Sequence, residues 1–430
     1  MNLCVRQFVF VSEKSMNDSV TVLNLNRLEV ISLIKGELLE TLFEAAHIQR
    51  WNDHLRPHNF VELDKQAHKM VLAYIIGKFE ESEKNSTVNW GDLIEGGMFE
   101  FLQRVVLTDI KPPIYNRLME ESGRELKEWV WEKLKHRLSP TADNLGGRFR
   151  RYLLDDHYAP LEKSILHASH YLATKWEFQH IFQLNNQLYG IEETKRKIEN
   201  ELEDHYSLSG VQKLELKNKT YRFIDLVGQL RFQKRWAHSP RVPETSVLGH
   251  MLLVAVISYL CSLELNACKK RKYNNYFTAL FHDLPEVLTR DIISPVKRSV
   301  KGLDNLIKKI ENRQVEERIL PLLPRDWHKE MKFFLDSEFV TLVKTEAGYQ
   351  ETDTETINQN YNEDKYSPLD GKMIKACDEM AAYIEASQSI NHGITSKHLE
   401  EAREELLKKY TGVKFAGLPI GELFTYFHDK

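Results

Sequence analysis

The run Phe281-His282-Asp283-Leu284-Pro285-Glu286 sets an imidazole and two carboxylates close together, and His250 upstream and Asp378 downstream supply one more group of each kind. Leaving Glu286 aside, the two imidazoles with Asp283 and Asp378 form a mixed nitrogen and oxygen donor set. Such a set suits one divalent transition metal (Mn²⁺, Co²⁺, Fe²⁺ or Zn²⁺) better than Mg²⁺ or Ca²⁺, which favour oxygen. Four protein ligands leave room on a six-coordinate ion for water, whose pKa falls on binding, so the chemistry on offer is hydrolysis near neutral pH. Glu286 follows the His282-Asp283 pair by four and three positions. That spacing predicts one helix presenting all three side chains on one side, with Glu286 placed to accept or return a proton. Asp283 comes at the end of an apolar approach (Tyr276, Phe277, Ala279, Leu280, Phe281), which predicts burial. A buried carboxylate needs a cation, a metal or several donors. Each residue alone has an ordinary role open to it: His250 as a core histidine, Asp378 as a helix N-cap, Glu286 as an exposed first-turn acid. The four candidate ligands together favour the metal reading.

The elements that must position these groups read as helices. Ile31–Arg50, Tyr221–Arg235, Met251–Leu263 and Leu399–Tyr410 carry apolar residues at three- and four-residue spacing, and alternating strand patterns are scarce. The expected fold class is all-α. His250 and Asp378 are each expected to open an apolar helix and to point inward from its start. The polar stretch 348–365 reads as a mobile loop, either covering the site or inert.

With 430 residues the chain can hold two ordinary domains. A 42% hydrophobic and 28% charged composition reads as globular, and a formal charge of −4 gives no reason to expect a nucleic-acid polymer or membrane partner. Four cysteines with no C-x-x-C pair imply free thiols and a cytoplasmic protein, and Cys377 beside Asp378 is read as a buried packing residue. The longest apolar run, Met251 to Cys261, is about half a membrane span. A homodimer is compatible with this composition.

The chain also resembles itself. Arg50-Trp51 and Arg235-Trp236 each precede a proline-containing loop and an apolar helix, and His68 to Glu100 spans the same 32 positions as His250 to His282. Phe99-Glu100-Phe101 lines up with Phe281-His282-Asp283, Asp109 with Asp291, His170 with Asp378, and Tyr189-Gly190-Ile191 with His392-Gly393-Ile394. The shared order points to duplication, with a boundary near Ser207–Val211. Two tandem helical domains follow, at 1–210 and 211–430. In the first, Phe101 stands opposite Asp283, Arg104 opposite Glu286 and His170 opposite Asp378, so the scaffold lacks the full chemistry. It is read as inactive, with nucleotide binding without hydrolysis as the alternative.

Over about residues 220–430, the segments Arg235-Trp236…His250, His282-Asp283-x-x-Glu286-Val287-Leu288-Thr289-x-Asp291…Pro295-Val296-Lys297 and Lys375-Ala376-x-Asp378…Ala382-Tyr383 resemble the HD-superfamily bacterial 5′-deoxynucleotidases. The resemblance implies two tandem HD-domain-like helical domains, the first degenerate. It implies one divalent metal on His250, His282, Asp283 and Asp378, with Asp283 and Glu286 in catalysis. Arg235, Trp236, Asp291 and Ser294 would contact a nucleotide substrate, the first two helping to exclude ribonucleotides. The implied reaction is hydrolysis of a deoxyribonucleoside 5′-monophosphate to nucleoside and phosphate. Three features depart from that family. Gly249 stands where an acidic residue is usual, Arg290 where glycine is usual, and the separation of His282 from Asp378 is longer, with the excess around Glu346–Asp370. Arg290 either adds a phosphate contact, narrows the sugar pocket or is a solvated surface residue. The alternatives are a triphosphohydrolase or phosphodiesterase on another nucleotide, and a nucleotide-sensing or scaffold protein.

Overall fold

Helix Val247–Glu264 is apolar on every side, and each residue from Val247 to Leu263 is buried. A helix of that kind has to lie at the centre of a core. By length and composition it could cross a membrane, but 94% of it is buried within the fold. Ser246 starts it, its Oγ accepting from Gly249 N at 2.9 Å. Helix Lys269–Phe281 turns back along it, and helices Glu62–Lys84 and Gly371–Asn391 pack on its other sides. These coordinates are a computed structural model describing residues 34–84, 86–290 and 300–430. Among the described residues the regular structure is helical apart from a small three-stranded sheet and isolated bridges, as the periodicity predicts.

The stretch 348–365 is not a loose loop. Thr341–Thr345 and Gly348–Glu351 form an antiparallel hairpin, with Leu369–Asp370 on the other edge of Thr341–Thr345. Polarity misled the sequence reading, because the polar groups satisfy one another. Arg271, fully buried, donates to both oxygens of Asp370 (2.6 and 2.9 Å) and to Asn358 and Asn362. Asn362 and Asp364 accept from the first backbone N–H groups of helix Lys269–Phe281, at 3.0 and 2.8 Å from Cys268 N and Lys270 N. The insertion therefore caps a core helix.

The backbone repeats its own construction. Gln49 bridges Val61 and Lys234 bridges Ser246. Arg50 N donates to Phe60 O at 2.8 Å, and Arg235 N to Thr245 O at 2.9 Å. Trp51 and Trp236 share φ near +57° (55° and 59°), Thr108 and Arg290 share 58° and 64°, and Gly190 and Gly393 share 81° and 79°. Trp51 Nε1 donates to Glu177 at 2.9 Å, as Trp236 Nε1 does to Glu385 at 2.8 Å. One equivalence has to be corrected. Helix Glu62–Lys84 begins right after Val61 and helix Val247–Glu264 right after Ser246, so the residue opposite His250 is Lys65, not His68. The equal 32-residue gap is a coincidence of a connection three residues longer in the first half. His68 faces away, with Nε2 3.1 Å from Ile224 O and its ring edge-on to Trp176.

Residues from both halves enter one continuous apolar core, and Ser32–Lys430 is one compact unit. Position 210 lies within helix Ser209–Glu215, which packs on Glu62–Lys84, so no break in packing marks the expected boundary. The first turns of the two equivalent helices meet at Gly249. A Cβ there would lie 2.8 Å from Asp64 Oδ1, and Asp64 accepts from Ser246 Oγ at 2.6 Å. The position that is usually acidic in the resembled family thus has a carboxylate against it from the other half of the chain.

Burial is the leading influence on Asp64 and holds its carboxyl up to about 6, against the lowering influence of Arg231 and Ser246. A raised carboxyl pKa means that the folded state binds the proton more tightly. The associated stability is present below the unfolded value near 4 and is lost as pH rises through about 6. Asp64→Asn is therefore expected to stabilise the fold at pH 8 by up to about 3 kcal/mol, with the gain vanishing towards pH 4. Urea unfolding at both pH values checks this, and an equal difference at the two would refute the assignment.

Candidate metal centre

Two helices and one turn bring the sequence-predicted ligands together. His250 lies in the first turn of Val247–Glu264, as expected, and is fully buried. His282 and Asp283 do not share a continuous helix with Glu286. Helix Lys269–Phe281 ends before them, 282–285 is a turn, and Glu286 begins the short helix Glu286–Thr289. Pro285 has no N–H to offer the Phe281 carbonyl, which instead accepts from Leu284 N at 2.9 Å. Asp378 does not open its helix either. Gly371–Asn391 begins two turns earlier, and Asp378 projects from its interior, which removes the N-cap reading.

Ligand atoms of His250, His282 and Asp378 all lie within 4.8 Å of one another, and all three residues are buried. His250 Nε2 is 2.8 Å and His282 Nε2 is 3.9 Å from Asp378 Oδ1. Asp283 joins at the side, its Oδ2 3.2 Å from His282 Nε2 and 3.6 Å from Arg235 Nη1. His282 Nδ1 is 2.7 Å from Ala279 O. A carbonyl only accepts, so Nδ1 carries the proton and Nε2 presents its lone pair to the cluster. His282 Nε2 and Asp283 Oδ2 are buried and make no hydrogen bond. Two imidazoles and two carboxylates with unsatisfied buried atoms on one space fit a divalent transition cation.

The electrostatics favour ionised carboxylates. Burial opposes charge on Asp283, but His282 and Arg235 outweigh it and hold its carboxyl well below the usual range. Burial likewise opposes charge on Asp378, which Lys375, His250 and His282 hold far down. Burial would lower the His282 imidazole, yet Asp283 and Asp378 raise it. Lys375 Nζ donates to Asp378 Oδ2 at 2.7 Å, so a single oxygen of Asp378 faces the histidines.

Glu385 stands behind the cluster, where no motif in the sequence points to it. It is fully buried, with Oε1 3.5 Å from His250 Nδ1 and accepting from Thr245 Oγ1 at 2.6 Å, while Oε2 accepts from Trp236 Nε1. Burial opposes its ionisation, but Arg241, His250 and Arg235 hold its carboxyl below the usual range. It is the carboxylate facing His250 Nδ1, placed to hold the Nδ1 proton when Nε2 ligates a cation. The signal was present in the sequence: Glu385 lies two turns after Asp378, as Glu177 lies two turns after His170. Glu385→Gln is expected to weaken metal binding roughly 10- to 100-fold, the usual scale for an outer partner of a ligating histidine. Titration against a competing chelator measures it, and unchanged affinity would remove Glu385 from this role.

Arg235 and Trp236, expected to contact a nucleotide, lie beside the cluster, Arg235 3.6 Å from Asp283 and Trp236 bonded to Glu385. Glu286 is buried, and its backbone carbonyl accepts from Gln233 Nε2 at 3.0 Å. Asp291 and Ser294 lie outside the described residues. Arg290 is exposed and has φ 64° and ψ 161°, a backbone region close to glycine-only. The glycine of the resembled family has its physical reason there. Arg290→Gly is expected to raise stability by about 1–3 kcal/mol through relief of that strain. Urea denaturation decides this, and a loss of stability would contradict it.

Residues 227–407 match the HD domain family. The chain is similar to a 5′-deoxynucleotidase of Pasteurella multocida, 23% identical over 198 residues that make up 44% of this chain and 86% of the relative. A 5′-deoxynucleotidase of Yersinia pestis is 21% identical over 178 residues, 40% of this chain and 75% of that protein. All the described ligands fall inside the matched segment. This segment of the chain is similar to the HD domains and, distantly, to the 5′-deoxynucleotidases, which supports an HD-superfamily phosphohydrolase.

Proposed function

We propose that the protein hydrolyses deoxyribonucleoside 5′-monophosphates to nucleoside and phosphate. The observation that carries this reading is the convergence of His250, His282 and Asp378 beside Asp283, with Arg235 and Trp236 tied to the same cluster through Glu385. His250, His282, Asp283 and Asp378 would hold one divalent metal. A metal bound there supplies Lewis-acid activation of water and of the phosphoryl group.

The chain's own residues do the rest. Asp283 and Asp378 remain ionised across the working pH range and bring negative charge to the cluster. Arg235, held within 4 Å of Asp283 and Glu385, offers a guanidinium to the substrate phosphate at the edge of the site. Trp236, fixed by its bond to Glu385, presents an aromatic face beside it. Glu286 takes the proton released as water attacks phosphorus and returns one to the departing 5′-oxygen. Asp291 and Ser294 are proposed to contact the sugar and phosphate.

The test is phosphate release from matched deoxyribo- and ribonucleoside 5′-monophosphates, with triphosphates and cyclic phosphodiesters alongside, in Mn²⁺ or Co²⁺. Preferential release from the deoxyribonucleoside 5′-monophosphates supports the proposal. Preference for triphosphates or diesters would move it to the corresponding hydrolase, and no release from any of them would leave nucleotide sensing.

A further inference from the structure

The corrected register puts a different set of groups on the equivalent frame in the first half. Lys65 stands where His250 stands, Glu100 where His282, Phe101 where Asp283, Arg104 where Glu286, and His170 where Asp378. The second-half set carries three carboxylates. The first-half set carries one carboxylate and two cations. A frame that calls for a metal in one half therefore calls for an anion in the other.

The local pairing strengthens that expectation. Lys65 is fully buried, and burial, with Arg50, Arg104 and Lys69 against the pull of Glu62, holds its amine well below the usual lysine range. Its Nζ touches the His170 ring, 3.2 Å from Nε2, in the place of the His250–Asp378 contact. Among the described residues it forms no ion pair with a carboxylate. The nearby acids are already committed. Glu62 accepts from Arg50 at 2.7 Å and from Gln66 at 2.6 Å. Glu100 accepts from Lys69 at 3.1 Å and from Tyr152 at 2.7 Å. Arg104, partly exposed, lies 5.1 Å from the Tyr115 ring centre and forms no ion pair among the described residues. Asp109 is exposed at the rim. A buried amine without a counter-charge holds its proton weakly, and an arriving anion supplies the counter-charge that restores it. The surface-reaching groups are Arg104, His170, Tyr115 and Trp51, none of them fully buried, so the cluster opens to solvent. Trp51 is fixed by Glu177 just as Trp236 is by Glu385, so the aromatic edge of the catalytic half is present here too.

We propose that the Lys65–Arg104–His170 cluster of the first half is a metal-independent binding site for a phosphomonoester, which it holds without hydrolysing. Lys65 and Arg104 supply the charge, the His170 imidazole donates a hydrogen bond, and Trp51 flanks whatever the phosphate carries. No carboxylate stands at the Glu286 position to move a proton, and Phe101 and Lys65 take two metal-ligand positions. This goes beyond the hydrolase reading and does not depend on it.

Equilibrium dialysis of the full chain with labelled inorganic phosphate and, separately, with a deoxynucleoside 5′-monophosphate tests it, in the presence of excess chelator. Wild type is expected to bind one phosphate group per chain. Arg104→Gln, at a partly exposed position, is expected to weaken that binding about 10-fold. Lys65→Met is expected to weaken it further, and Arg104→Gln decides alone if Lys65→Met fails to fold. Asp283→Ala and Arg235→Ala are expected to leave it unchanged. Tighter binding of the nucleotide than of inorganic phosphate identifies a nucleoside phosphate as ligand, and equal binding identifies free phosphate. The proposal is overturned if the chelated protein binds neither probe up to roughly 10 mM. It is also overturned if binding survives Arg104→Gln, or is lost with Arg235→Ala instead.

Discussion

Asp283→Ala is expected to leave the purified protein with little bound metal and to lower phosphate release by roughly 1,000-fold or more, the scale of several kcal/mol of lost charge stabilisation. The argument rests on where this carboxylate sits. It is held ionised by His282 and Arg235 against the pull of burial, and its Oδ2 makes no hydrogen bond. A buried charge with a free lone pair 3.2 Å from a histidine lone pair is arranged for a cation between them. The substitution leaves the backbone bond from Glu286 N to Asp283 O intact, so the turn persists. Metal content per chain after desalting, read with the circular dichroism of the same sample, checks the result. A folded variant that keeps full metal would place the cation elsewhere.

Glu286→Gln should separate chemistry from binding. Metal content and KM are expected to stay near those of wild type, while kcat falls by about 100- to 10,000-fold, the usual contribution of a positioned acid–base group. Gln keeps the size of the side chain and can still accept a hydrogen bond, but it cannot carry the proton. Steady-state kinetics with the metal-loaded variant measure both constants. An unchanged kcat would remove Glu286 from proton transfer and favour a sensing role for the domain.

Much of this centre was legible because metal chemistry narrows the choice of residues. His250, His282, Asp283 and Asp378 were found by donor type and apolar context, and three of them converge within 4.8 Å. Helical periodicity likewise gave the all-α architecture, since apolar faces at 3.6-residue spacing have few other uses. What escaped depends on geometry beyond spacing. Pro285 breaks the expected helix between His282 and Glu286, because three- and four-residue spacing is also compatible with a turn followed by a new helix. Asp378 lies mid-helix because Leu369–Asp370 first joins a sheet and Arg271 then claims Asp370. The pairing of His68 with His250 failed because three extra residues between two anchor points preserve sequence similarity while turning the helix by nearly a full turn. Glu385 was hidden by its distance from any motif, and only its bonds to Trp236 and its approach to His250 disclose it. Gly249 looked like a loss in sequence, and the structure shows Asp64 of the other half against it.

The most direct measurement is phosphate release from a deoxyribonucleoside 5′-monophosphate by wild-type protein stripped of metal and then titrated with Mn²⁺ or Co²⁺. Activity is expected to be absent after stripping and to return in proportion to metal bound, saturating at one ion per chain. Release that is equal before and after stripping, or that never exceeds Asp283→Ala at any metal loading, would contradict a metal-dependent phosphohydrolase built on these residues.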